Sequence, residues 1–129
     1  MRRSLNENEL SRIVLDAGFN IHSSLGPGLF ESVYENILAE ELGACGLYVQ
    51  KQVALPVFWN GKKIEHGFRA DLIINSKVII EIKSVEAVAP IHKAQVLTYL
   101  KVSGLKLGLL LNFNTYLLKE GIYRIVNGL

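Results

Sequence analysis

Between residues 44 and 48 the apolar side chains of this chain change period. Before that point they recur every three or four positions, and after it they alternate. Helices must therefore precede a sheet, and the fold must bury one against the other. Leu10, Ile13, Val14, Ala17, Ile21 and Leu25 predict a first helix, with Asn6 or Asn8 as its cap. Gly26-Pro27-Gly28 stops it. Phe30, Val33, Tyr34, Ile37, Leu38 and Leu42 predict a second helix over about 30–44, ending at Gly43 and Gly46. Residues 48–55 then read as a strand, Pro56 marks an edge or a bend, and Val57-Phe58-Trp59 continues it. Asn60-Gly61 is a hairpin turn, and 62–65 returns from it. Strands over 68–74 and 78–83 flank a turn at Asn75-Ser76. Pro90 precedes a third helix, about 91–102, and strands over 105–113 and 122–126 complete the order ααββββαββ. With 129 residues, half of them hydrophobic, a single domain over 1–129 of mixed α/β class is expected.

Composition removes several kinds of chemistry. One cysteine excludes a disulfide scaffold, a self-contained iron–sulfur site and a Cys-rich zinc site. Cys45, between Ala44 and Gly46 near a helix end and without a nearby His, reads as a buried small residue. Gly26-Pro27-Gly28 follows a helix and lacks the spacing of a dinucleotide loop. The net charge is +2, but it divides unevenly: about −2 over 1–65 and +4 over 66–129. That bias is compatible with a nucleic-acid partner and also with ordinary surface charge. The basic start, Met1-Arg2-Arg3, is followed by Asn6, Glu7, Asn8 and Glu9, so neither a signal core nor a membrane span is expected, and the expected location is cytoplasmic.

Two apolar strands carry charges that a core does not need. One is Arg69-Ala70-Asp71-Leu72-Ile73-Ile74 and the other Val78-Ile79-Ile80-Glu81-Ile82-Lys83. Alternate residues of a strand share a face, so Glu81 and Lys83 point one way and Ile80 and Ile82 the other. The short turn predicts antiparallel pairing, which brings Asp71 toward Glu81 and Lys83. Two carboxylates beside an amine suit Mg²⁺ or Mn²⁺ with a proton-handling Lys. A structural ion pair between Glu81 and Lys83 accounts for the same residues equally well. On the third helix Gln95 and Tyr99 share a face with His92, either as a solvated face or as part of a site. Glu31 opens the second helix, as a dipole partner or as a further ligand.

Gly28-Leu29-Phe30-Glu31-Ser32-Val33-Tyr34 resembles the signature of the small GxxExxY family, within the PD-(D/E)XK nuclease-like superfamily. The resemblance continues through Asp71, Glu81-Ile82-Lys83, Pro90 to Gln95 with Tyr99, and Gly108 to Asn114, and so covers nearly the whole chain. The Pro that often precedes the superfamily's Asp is Ala70 here. The resemblance implies a restriction-endonuclease-like core, a central mixed sheet flanked by helices. It implies a metal site of Glu31, Asp71, Glu81 and the carbonyl of Ile82, holding Mg²⁺ or Mn²⁺. Lys83 would orient or activate the attacking water, and Gln95 and Tyr99 would lie toward the scissile phosphate, as in RecB-like nucleases. His22 matches a region where some of those nucleases place a metal-binding His. The implied activity is phosphodiester hydrolysis, with DNA ahead of RNA as partner. The alternative is a catalytically quiet nucleic-acid-binding or protein-interaction module on the same fold. A homodimer is expected as the remedy for so small a chain.

Overall fold

Asn6 caps the first helix: its side-chain oxygen accepts from Glu9 N–H at 2.9 Å, and the Glu9 carboxylate accepts from Asn6 N–H at 3.0 Å. This computed structural model describes residues 4–129, apart from the side chains of 65 and 66; Met1-Arg2-Arg3 lies outside the described residues. Helix α1 spans Glu7–Leu25 and α2 spans Glu31–Ala44. Strands β1 (Val49–Trp59), β2 (Lys62–Ile74) and β3 (Val78–Lys83) follow, then α3 (Pro90–Ser103), β4 (Leu107–Asn112), a 3₁₀ turn (Leu118–Gly121) and β5 (Ile122–Val126). No helix among the described residues is long and apolar enough to cross a membrane.

The five strands lie in the order β1-β2-β3-β4-β5. Pairing is antiparallel except between β3 and β4, which run parallel through the α3 crossover. Asn60 and Gly61 both take positive φ (49° and 76°), as do Asn75 and Ser76 (50° and 55°), which lets two tight turns join three consecutive strands. Helices cover both faces of the sheet. Leu72, Ile74, Val78, Ile80, Ile82, Leu107, Leu109 and Leu111 pack with Leu10, Val14, Tyr34 and Leu38 of α1 and α2. Ile73, Ile79, Ala70 and Leu55 pack with Leu100 of α3 on the opposite face. Double coverage explains why β3 and β4 are apolar without alternation. This is the expected mixed α/β architecture, a central mixed sheet flanked by helices.

Two expectations fail. Cys45, expected to be buried, is exposed, because it caps the end of α2 and lies outside the apolar face of that helix. The other concerns the strands. Residues 62–65 and 68–74 are not two strands but one, so three strands rather than four precede α3. The sequence shows a break at Gly67, but the chain only shifts register there, between Leu55 and Val57 of its partner strand. A Cβ on Gly67 would lie 2.8 Å from the Leu55 carbonyl oxygen. Glycine here permits a close backbone approach at a bulge and does not end the strand. Pro56, with no N–H to donate, sits at this irregularity on the edge strand β1.

Candidate functional site

Strands β2 and β3 pair from Ile74↔Val78 to Leu72↔Ile80 and no further. Continued by one step, that register sets Asp71 opposite Glu81. There, side chains replace the backbone ladder: Ile82 N–H donates to Asp71 Oδ2 at 2.9 Å, and Asp71 N–H donates to Glu81 Oε2 at 3.3 Å. The same position is irregular in β1, where pairing passes from Lys51↔Leu72 to Val53↔Ala70. Both strands turn over at this point. Val49, Leu72 and Ile74 face the α1–α2 core, whereas Val53, Leu55, Phe68 and Ala70, at positions of matching parity, face α3. Gln52 absorbs the change with φ of 51°, a conformation disfavoured for a residue with a Cβ. The result is an Asp71 carboxylate aimed edgewise at the backbone of β3.

Glu81 lies on the α3 face of the central strand and is only 6% exposed. Burial is the main reason its pKa rises from 4.5 to about 9, and the adjoining Asp71 carboxyl adds to the rise through a shared hydrogen bond and its charge. The Asp71 N–H and the Lys83 charge oppose it. The two carboxyls thus form a dyad that retains a proton at neutral pH. Tyr99 of α3 is half-buried, its ring 5.0 Å from that of Phe68. Its hydroxyl pKa is raised by burial and then by the charges of Glu81 and Asp71, which places it within their field.

The opposite wall comes from α2. Tyr34 is fully buried and stacks on Phe113 at 4.4 Å. Its hydroxyl donates to the Gly26 carbonyl at 2.6 Å and accepts from Leu29 N–H at 3.2 Å. The Tyr of the motif therefore ties down the Gly-Pro-Gly turn and fixes where α2 begins. Glu31, the first residue of α2, accepts from Ser84 N–H at 3.3 Å, and Ser84 Oγ donates to the Leu29 carbonyl at 2.7 Å. Asn112 pins the segment after β3 by exchanging hydrogen bonds with Val85 at 3.0 and 3.1 Å. Together these contacts set the start of α2 against the end of β3. An open cleft of about 730 Å³ lies there, lined by Phe30, Glu31, Glu35, Gln52, Asp71 and Ser84, among others.

The structure therefore brings Asp71, Glu81 and Tyr99 together and sets Glu31 on the facing wall of the cleft. Lys83 is half-buried at the end of β3, and its charge acts on Glu81. Gln95 lies one turn before Tyr99 on α3, also half-buried, while the Ile82 backbone N–H is engaged by Asp71. Two histidines take other duties. His22 Nε2 lies 2.9 Å from the Thr115 carbonyl oxygen and lines a separate crevice with Phe19 and Lys119. His92 Nδ1 accepts from Ala89 N–H at 3.1 Å, closing the first turn of α3.

Two cleft residues escaped the sequence reading. Gln52 Nε2 donates to Glu35 Oε1 at 2.8 Å and to Asp71 Oδ1 at 3.3 Å. Burial raises the Glu35 pKa; the Gln52 hydrogen bond lowers it, and Asp71 raises it further. Glu35 had a signal, since it lies one helical turn beyond Glu31 and shares its face. Gln52 had none, because nothing in 48–55 foretells a positive φ.

Among the described residues no three His, Cys, Asp or Glu side chains are gathered closely enough to hold a metal ion. The donor chemistry nevertheless fits a hard divalent cation. All the candidate ligands offer oxygen, and the buried dyad keeps a proton in a position that a cation's charge would take over. A family model described as the PD-(D/E)XK nuclease superfamily matches residues 8–125. Comparison with curated proteins gave no match, and neither did comparison with solved structures.

Proposed function

The chain belongs to the PD-(D/E)XK nuclease superfamily, and on that premise we propose that it is a metal-dependent nuclease hydrolysing phosphodiester bonds, DNA ahead of RNA. The observation that carries this reading is the Asp71–Glu81 dyad, where two strands part and side-chain carboxyls fill the gap. Burying two carboxyls side by side costs stability, and a divalent cation is the partner that offsets it. Asp71, Glu81, the Ile82 carbonyl and Glu31 would hold Mg²⁺ or Mn²⁺. When bound, such an ion stabilises charge on the phosphate and leaving oxygen and makes the attacking water more acidic.

The chain's own groups do the rest. Lys83, next but one to Glu81 on the same face of β3, takes or returns a proton at the attacking water. Tyr99 and Gln95 orient the phosphate from the α3 side. The Tyr34-anchored turn keeps Glu31 on the cleft wall, which supports assignment to the GxxExxY family. The test is cleavage of labelled single- and double-stranded DNA and RNA in Mg²⁺ or Mn²⁺. Wild type should cleave at least one of them, and Lys83→Ala should cut the rate roughly a hundredfold or more. No cleavage by wild type, with binding retained, would leave a quiet binding module; cleavage undiminished in Lys83→Ala would remove the assigned site.

A further inference from the structure

The β1–β2 hairpin outruns the sheet. By register, Arg69 of β2 lies level with Lys83, the last residue of β3, so residues 57–64 project beyond the end of β3. At strand rise this arm extends roughly 20 Å past the site end of the sheet. Cross-strand partners share a face, so Trp59 stands beside Lys62 on one side of the arm, and Phe58 stands beside Lys63 on the other. Trp59 is 71% exposed and Phe58 63%. Both lysines are exposed, as is Arg69 nearer the cleft.

The arm belongs to a wider pattern. Among the described residues the four most exposed large apolar side chains are Tyr116, Phe30, Trp59 and Phe58. All four lie at one end of the fold. Phe30 lines the cleft, the arm carries Phe58 and Trp59, and Tyr116 follows β4 in the loop beyond the strand end parallel to that of β3. On the arm, an outward aromatic ring beside a lysine on each side matches a strand of unpaired bases, because every base has a face to stack and every linkage a phosphate. A duplex hides its base faces, and a chain of net charge +2 offers few contacts for the dense phosphates of a duplex.

We infer that the β1–β2 arm, with Phe30 at the cleft mouth, is a single-stranded nucleic-acid binding surface that leads an unpaired strand to the cleft. The choice of substrate class rests on the nuclease reading; the binding itself does not. Trp59 is the sole tryptophan, so its fluorescence reports directly on stacking. The experiment titrates the metal-chelated, full-length protein with oligo-dT, oligo-U and a duplex of equal length, following Trp59 emission. Anisotropy of a labelled oligo-dT is then measured for Trp59→Ala, Phe58→Ala and Lys62→Ala, with thermal unfolding as the folding control. Oligo-dT or oligo-U should quench Trp59, and more strongly than duplex. Each aromatic substitution should weaken binding about tenfold with little change in thermal unfolding. The Lys62 substitution should flatten the salt dependence.

Quenching without any cleavage in the metal-dependent assay would uphold the arm and overturn the nuclease reading. Cleavage with unchanged Trp59 emission would do the reverse. Preference for duplex overturns the inference, and so does Trp59 emission that tracks protein concentration alone, which would make this face an interface between copies.

Discussion

Glu81→Gln should make the metal-free protein more stable at neutral pH and nearly remove one component of its pH dependence. The wild-type carboxyl titrates at 4.5 when unfolded and at about 9 in the fold. Between those values the folded state binds more protons than the unfolded state, so stability falls as pH rises. From pH 5 to 7 nearly two pH units of that slope apply, about 2.5 kcal/mol. Glutamine is close in size, donates where the protonated acid donates, and has no proton to lose. The assay is urea unfolding of wild type and Glu81→Gln at pH 5 and 7 in chelator. The wild type should lose about 2.5 kcal/mol relative to the variant over that interval. Two stability–pH curves that run parallel would mean that Glu81 titrates alike in both states and holds no proton in the fold at pH 7.

Three other perturbations probe different parts of the molecule. Tyr34→Phe loses two hydrogen bonds to the Gly-Pro-Gly turn and should cost about 1–2 kcal/mol in urea unfolding, with weaker cleavage because Glu31 loses its seat. Gln52→Gly suits the positive φ and should leave stability within about 1 kcal/mol, while the Glu35 carboxyl, freed of the amide that lowers its pKa, titrates higher by NMR. Gly108→Ala sets a Cβ 2.5 Å from Val96 Cγ1, so Val96 must shift or α3 move off β4; unfolding measurements should show a loss of about 1–3 kcal/mol.

Much of this was legible in the residues. Periodicity located α1, α2, β3, α3 and β5 because each has one apolar face or run of the right length, and the Asn-Gly and Asn-Ser turns gave antiparallel pairing. That pairing predicted the approach of Asp71 to Glu81. Sequence could not show that Glu81 is buried rather than paired with Lys83 at a solvated end, since that depends on α3 crossing over it. Nor could it join 62–65 to 68–74, because a glycine at a bulge looks like a glycine at a strand end. Gln52 entered the cleft through a backbone conformation that its residue type does not announce. The motif's Tyr34 pointed to function, and its contacts are those of an anchor for the turn that sets Glu31.

If the site is a metal site, the Asp71–Glu81 dyad trades its proton for a divalent cation. Calorimetric titration of the purified chain with Mn²⁺ at pH 6 and pH 8, beside Asp71→Ala, tests it directly. Binding should tighten from pH 6 to pH 8, with proton release, and should be lost in Asp71→Ala. Absence of heat at millimolar Mn²⁺, or unchanged binding in Asp71→Ala, would contradict it.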